Sequence, residues 1–256
     1  MDLGLKDRVY VIGGGSKGLG RAIAGVLVAE GAKVLLMSRD RASLDTAVAE
    51  LGASARAVAV DMADPGAPAA VAAALEANFD RLDGVLVNAG GPPPGQVLSL
   101  TDDQWLGAFQ LLIGGPIRLL RTLVPRMGDG GSVLFITSSS VRQPVANLDT
   151  SNVLRPGVAA MAKVLSRELG PKIRVNSLGP GRFDTDRVRS LDKGRAEALG
   201  ITVEEQRANT ARLIPAGRYG EPTEFANYAA FLLSPAASYV SGIATLADGA
   251  LVDAVP

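Results

Sequence analysis

A doubly wound α/β fold, with a parallel sheet of about seven strands covered by helices on both faces, is predicted from this sequence by three observations. Short apolar runs alternate with helix-period segments from one end of the chain to the other. A glycine-rich loop at 13–20 separates the first apolar run from the first helix pattern. Four successive runs end in small or polar residues, at 13–20, 38–40, 61–62 and 88–91. Ligands of such sheets bind at the carboxyl ends of the strands, so these four exits converge on one crevice.

The run at 9–12 is apolar throughout, as a strand buried on both faces requires. Leu19, Ile23 and Leu27, with Ala22 and Val26, then give the three-to-four spacing of an amphipathic helix. Glycine between the two permits positive φ and lets the backbone approach an anion closely. The open amides and dipole of the helix start attract that anion, and a diphosphate is the natural guest. A strand at 34–37 follows, closed by Ser38-Arg39-Asp40, then a helix at 41–51 and a strand at 57–60. An alanine-rich helix is predicted at 65–79, with Asp64 as cap and Pro65 in the first turn. A strand at 84–87 precedes a long helix from 102 to about 127. Pro116 cannot donate to the Leu112 carbonyl, so a kink is expected at Gly114-Gly115-Pro116.

A strand at 132–136 leads into Thr137-Ser138-Ser139-Ser140. The next helix is predicted at 156–169, because the residue before a proline is pushed out of helical geometry. A strand at 174–178 and a loop at 179–181 follow. The charged stretch 185–216 reads as a mobile helical excursion in the position of a substrate lid. A helix at 221–233 and a strand at 244–247 complete seven strands in one domain, 1–256.

Composition excludes several function classes. Lys+Arg 26 balances Asp+Glu 26, so no net field recruits nucleic acid or an anionic membrane. The chain has no cysteine and no histidine, which removes disulfides, thiol nucleophiles, the commonest metal ligands and the usual neutral-pH base. No metal site is expected. The N-terminal residues lack an apolar signal core and no run is long enough to span a bilayer, so a soluble cytoplasmic protein is expected.

Gly14-Gly15-Ser16-Lys17-Gly18-Leu19-Gly20, Asn88-Ala89-Gly90, Ile136-Thr137-Ser138-Ser139, Arg174-Val175-Asn176, Pro180-Gly181 and Arg218-Tyr219-Gly220-Glu221-Pro222 occur in this order. In these motifs the whole chain resembles the short-chain dehydrogenase/reductase family, especially its 3-oxoacyl-carrier-protein reductase-like branch. The resemblance implies a Rossmann fold with a dinucleotide diphosphate over Gly14, Ser16, Lys17, Gly18, Leu19 and Gly20. It implies adenine near Asp61 and Met62, and nicotinamide near Asn88, Ala89, Gly90, Pro180, Gly181 and Thr185. It also implies a homotetramer or homodimer built from the long helices and the last strand. Gly13 stands where the family usually has threonine.

Charge decides the expected form of the cofactor. The end of the second strand, beside the adenosine ribose, carries Ser38 and Arg39 where a carboxylate would repel a 2′-phosphate. Arg39 and Lys17 bring two cations there, which favours NADP(H) over NAD(H). Asp40 is the counter-reading, as a ribose-binding acid.

The family's catalytic set is largely absent. Counting from Ser138, the tyrosine position is Ser151 and the lysine position Arg155; counting from Trp105, the asparagine position is Leu112. A serine hydroxyl is far less acidic than a phenol, and a guanidinium stays protonated. Ser138, Ser151 and Arg155 are the candidate catalytic residues, Arg155 doubling as a ribose ligand, with a water or Asp149 as the relocated proton donor. Two readings stay open: an NADP(H)-dependent oxidoreductase of carbonyls or alcohols, or a non-catalytic NADP(H)-binding sensor or structural protein. A serine hydrolase on residues 138–140 would lack a base. Arg142, Gln143, Arg182 and Arg187 give the crevice a basic mouth suited to an acidic small-molecule substrate.

Overall fold

The computed structural model describes residues 1–254. Seven strands, β1 (Val9–Gly13), β2 (Lys33–Ser38), β3 (Ala55–Ala59), β4 (Gly84–Val87), β5 (Gly131–Ile136), β6 (Ile173–Pro180) and β7 (Ala244–Ala247), form one sheet in the order β3-β2-β1-β4-β5-β6-β7. Every pairing is parallel. The chain winds outward from β1 to β3 and returns to place β4 on the other side of β1, which opens a crevice at the carboxyl ends of β1 and β4.

The helices are α1 (Gly18–Ala29), α2 (Arg41–Leu51), α3 (Ala67–Asn78), α4 (Asp102–Phe109), α5 (Gly115–Leu123), α6 (Asp149–Glu168), α7 (Asp186–Leu199), α8 (Val203–Leu213) and α9 (Pro222–Leu233). Alternate residues of each strand face opposite layers. Tyr10, Ile12, Val34 and Leu36 pack with Ile23 and Leu27 of α1, Leu44 of α2 and Phe225 of α9. Val9, Val11, Leu35 and Met37 pack with Val71 and Leu75 of α3, Leu119 and Leu123 of α5 and Val158 of α6. Burial on both faces is why these strands read as unbroken apolar runs. Among the described residues no helix is long and apolar enough to cross a membrane.

Five local expectations are corrected. β3 lies two residues earlier at its start than 57–60, and β6 runs on to Pro180 rather than yielding a loop at 179. α3 begins at Ala67 rather than Pro65, because the Asp64 carboxylate accepts the Gly66 amide (2.7 Å) in a turn of its own and Pro68 takes the first-turn place. The long helix keeps helical backbone angles through Gly114 and Gly115, and a π turn at Gln110–Gly114 takes up the irregularity before Pro116. α6 begins at Asp149 and passes through Pro156. Its first turn is held by tertiary bonds that outweigh proline's local preference. Thr150 Oγ1 donates to Pro93 O (3.0 Å), the Asp149 carboxylate accepts the Val97 amide (3.0 Å), and Asn152 exchanges two bonds with the Val145 backbone (2.9 Å each).

Candidate active site

The glycine loop is shaped by close backbone contacts. A Cβ on Gly13 would collide with the Asn88 carbonyl and lie 2.9 Å from Leu86 O, so β1 and β4 approach too closely for the threonine the family carries. Asn88 ties the two exits together, Nδ2 donating to Gly13 O (3.1 Å). Gly14 has φ +60°, and a Cβ on Gly20 would collide with its carbonyl, so the loop folds tightly over the start of α1. Lys17, the N-cap of α1, makes no side-chain cap hydrogen bond, which leaves the first amides of the helix open to a ligand. Thr185, at the start of α7, faces this loop: a Cβ on Gly18 would lie 3.8 Å from Thr185 Cγ2. Open amides and a cradle without side chains together fit a diphosphate.

At the exit of β2, Ser38 Oγ is 2.9 Å from Ser16 Oγ and accepts the Asp40 amide (3.3 Å). Asp40 caps α2, accepting from the Ser43 amide (3.2 Å) and hydroxyl, and Lys17 Nζ stands 3.6 Å away. Those bonds from Ser43, helped by Lys17, hold its carboxyl below the usual carboxylate range. Asp40 is thus engaged at a helix start. Arg39 is exposed, 3.8 Å from the Asp61 carboxylate, and its guanidinium lies 4.0 Å from where a Gly90 Cβ would stand. It therefore spans the cleft lined by Ala59, Val60, Asp61 and Ala67. Met62 turns its side chain into the core, so only its backbone is left for a ligand.

At the other end of the crevice, the continuous α6 brings Ser151 and Arg155 onto one side, one turn apart, and both are buried. Ser138, one of the three candidate catalytic residues, does not bond Ser151 directly. Ser138 Oγ accepts the Ser140 amide (3.1 Å) and caps a 3-10 turn, Ser139–Val141. That turn points Ser140 inward, 3.2 Å from Ser151 Oγ. Ser140 is the residue sequence reasoning missed. The serine run offered three hydroxyls, and only the turn decides which one faces the helix. Asp149 is not aimed at Ser151: its oxygens accept from Val97 N and Asn152 Nδ2 (3.0 Å each). Leu112 is a core residue beside Leu119 and Val158.

Arg155 is 8% exposed, and its Nη1 donates to Ile136 O at 2.6 Å, while its buried Nε has no partner. Burial, then the nearby charge of Arg187, lowers its pKa to about 10, so it remains cationic at neutral pH. No tyrosine replaces the missing phenol. Tyr10 is buried beneath the sheet, the Tyr219 and Tyr228 hydroxyls bond Asp192 (2.9 Å) and Thr245 (3.3 Å), and Tyr239 is fully exposed.

The charged excursion folds as α7 and α8 and is tied down by ionic contacts. Buried Asp192 accepts from Arg207 (3.4 Å) and Tyr219, with Arg182 at 3.8 Å. Asp184 pairs with Arg189 and Arg207 at 3.0 Å each, and Arg207 lies 4.4 Å from the Tyr219 ring centre. The expected basic mouth is thereby divided. Arg182 pairs with Asp192, Arg142 donates to Ala244 O (3.3 Å) and Gln143 accepts the Asp253 amide (3.2 Å), which leaves Arg187. Among the described residues no cluster of three or more His, Cys, Asp or Glu could hold a metal.

A family profile described as enoyl-(acyl carrier protein) reductase, of the short-chain dehydrogenase type, matches residues 14–251. The chain belongs to the short-chain dehydrogenase/reductase family. Among its relatives in that family, an uncharacterised oxidoreductase of Mycobacterium tuberculosis is 32% identical over 253 residues, covering 96% of this chain and 93% of the relative. The 3-oxoacyl-[acyl-carrier-protein] reductase of Salmonella typhimurium is 29% identical over 243 residues, covering 94% and 95%. L-sorbose reductase from Gluconobacter frateurii, solved with NADPH and L-sorbose, superposes with a TM-score of 0.94 at 31% identity over 100% of both chains. Within the family this chain is of the 3-oxoacyl-carrier-protein reductase-like type.

Proposed function

We propose that the protein is an NADP(H)-dependent oxidoreductase acting on a carbonyl or alcohol, with proton transfer moved away from the tyrosine position. The observation that carries this reading is the continuous α6, which keeps Ser151 and Arg155 one turn apart at the exit of β5 with Ser140 against Ser151. A nicotinamide dinucleotide, when bound, supplies or accepts the hydride. Gly14, Ser16, Gly18, Leu19 and Gly20 with Thr185 would hold the diphosphate, Asp61 and the Met62 backbone the adenine, and Asn88, Ala89, Gly90, Pro180 and Gly181 the nicotinamide end. The preference for NADP(H) rests on Arg39 and Lys17, with Asp40 engaged as a helix cap and Asp61 standing 3.8 Å from Arg39. The NADPH held by L-sorbose reductase is in keeping with it, and the NADH held by a Brucella melitensis 3-ketoacyl-(acyl-carrier-protein) reductase, 29% identical with a TM-score of 0.84, shows that the fold alone does not choose.

In reduction, Ser151 donates a hydrogen bond to the substrate carbonyl oxygen and Ser140 holds that hydroxyl in place. Arg155 stabilises the negative charge that develops on the oxygen as hydride arrives. A serine is too weak an acid to surrender its proton unaided, so the alkoxide takes its proton from a water hydrogen-bonded by Ser151, which is reprotonated in turn from bulk solvent through the crevice. Orientation supplies much of the rate, since well-aligned reactants recover on the order of 7 kcal/mol. Exposed Leu106 and Phe109 of α4, Ile117 of α5 and Val153 and Val164 of α6 support assembly through the long helices into a homodimer or homotetramer. Residues 185–216 serve as the substrate lid.

The test is fluorescence titration with NADPH and NADH, followed by NADPH oxidation with ketones, aldehydes and 3-oxoacyl thioesters. NADPH binding with turnover that falls in Ser151→Ala and Arg155→Ala is expected. Tight NADPH binding with no turnover on any substrate would leave the non-catalytic reading, which the missing tyrosine and lysine favour.

A further inference from the structure

The acidic residues of the excursion are spent in a way that singles out one arginine. Residues 182–192 carry Asp184, Asp186 and Asp192 beside Arg182, Arg187 and Arg189. Asp184 serves Arg189 and Arg207, Asp186 serves Arg189 (3.4 Å), and Asp192 serves Arg182, Arg207 and Tyr219. Among the described residues, Arg187 forms no ion pair or hydrogen bond. It is solvent-accessible and sits in the first turn of α7, two residues past Thr185.

The Arg187 guanidinium lies against Gly91, where any Cβ would overlap it. This places it just past Asn88-Ala89-Gly90, after the exit of β4. The segment after Gly91 is pinned to the first turn of α6 by Thr150 and Pro93, next to Ser151. Arg155, the other cation of this corner, is buried, lacks a carboxylate partner and keeps an unpartnered Nε. The charge of Arg187 adds to burial in lowering the Arg155 pKa. Asp149, the nearest acid on α6, is committed to Val97 and Asn152. Two cations brought together with every neighbouring acid engaged elsewhere form a site for an anion.

Resting on the oxidoreductase reading above, we propose that Arg187, with Arg155 behind it, binds an anionic group of the substrate, a carboxylate or a phosphate ester, beside the carbonyl that is reduced. Gly91 serves this arrangement by leaving room for the guanidinium. Arg187 fixes the anion, and Ser151 then meets the carbonyl oxygen of the same molecule.

The test compares matched probes in NADPH oxidation by the full chain: acetoacetate against methyl acetoacetate, and dihydroxyacetone phosphate against dihydroxyacetone. The two pairs distinguish a carboxylate from a phosphate. At least one anionic probe is expected to exceed its neutral partner in kcat/KM by about tenfold or more, through KM. Arg187→Gln should remove that ratio, Arg187→Lys should restore part of it, and the NADPH Kd should stay within about twofold. Equal use of neutral and anionic probes would overturn the proposal. So would an Arg187→Gln loss in NADPH affinity as large as its loss of anion preference, because Arg187 would then belong to the cofactor. Calorimetric titration of the same probes into the protein with NADP+ separates the two claims. Anion binding abolished by Arg187→Gln, with no turnover of any probe, sinks the oxidoreductase reading and keeps the anion site. Turnover of neutral probes with no anion binding sinks the anion site alone.

Discussion

Replacing Arg155 by methionine should raise stability while removing activity. Burial and the charge of Arg187 hold the guanidinium at about 10. Against an ordinary value of roughly 12.5, that is a difference near 2.5 pH units, or about 3 kcal/mol at ~1.4 kcal/mol per unit. One charge-assisted hydrogen bond, to Ile136 O at 2.6 Å, offsets it by ~1.5–3 kcal/mol. Methionine fills similar space and carries no charge to desolvate, so Arg155→Met should be more stable by about 0–2 kcal/mol. At roughly 2–4 °C per kcal/mol, Tm rises by about 0–8 °C at pH 7. The folded state binds this proton less tightly than the unfolded chain, so its cost is complete below the folded pKa. The cost fades as pH rises from about 10 toward the unfolded value. The Tm gap between variant and parent should therefore narrow by pH ~10.5, while kcat/KM falls by about 100-fold or more at neutral pH. Calorimetry at both pH values with one NADPH assay is the measurement. A variant less stable at pH 7 by more than about 1 kcal/mol, or a gap indifferent to pH, would refute the reasoning.

Ser140→Ala should lower kcat by about tenfold with little change in NADPH Kd, because Ser140 orients Ser151, and Ser138→Ala should cost less; steady-state kinetics on both variants would show the order reversed if Ser138 were the working hydroxyl. Arg39→Asp should raise the NADPH Kd by about 100-fold and leave the NADH Kd nearly unchanged, read by fluorescence titration. Restoring the family threonine with Gly13→Thr should destabilise by about 1–3 kcal/mol in thermal denaturation, because its Cβ would stand 2.9 Å from Leu86 O and against Asn88 O. The hydrogen bond from Arg189, with Arg207 beyond it, lowers the Asp184 pKa, so its contribution is present above the ordinary aspartate value of ~4 and is lost as pH falls through the lower folded value. Hydrogen exchange should find α7 and α8 equally protected from pH 7 to about 4 and less protected below it, and loss of protection already at pH 6 would contradict this.

The cofactor half of the site was legible because it is local. Gly14, Gly18 and Gly20 act through the backbone within one strand-turn-helix unit, so their spacing already carries the geometry. Arg41 to Leu51 and Gly84 to Val87 were likewise readable to the residue, each bounded by its own cap or turn. The start of α6 was not legible. Pro156 argues locally for a break, and what prevails is a set of bonds from residues 93–97 and 145 to the helix start, far apart in the chain.

By itself the sequence determined the doubly wound sheet, the crevice at its strand ends and the glycine cradle. Those follow from period, spacing and residue type. Tertiary structure alone decided that Ser140 rather than Ser138 meets Ser151, that Asp40 and Asp149 are spent on helix starts, and that Arg187 is left without a partner. Each of these depends on which hydrogen-bond or ionic partner wins a competition among several within reach. A competition of that kind is settled by distances across the fold, which spacing along the chain does not contain.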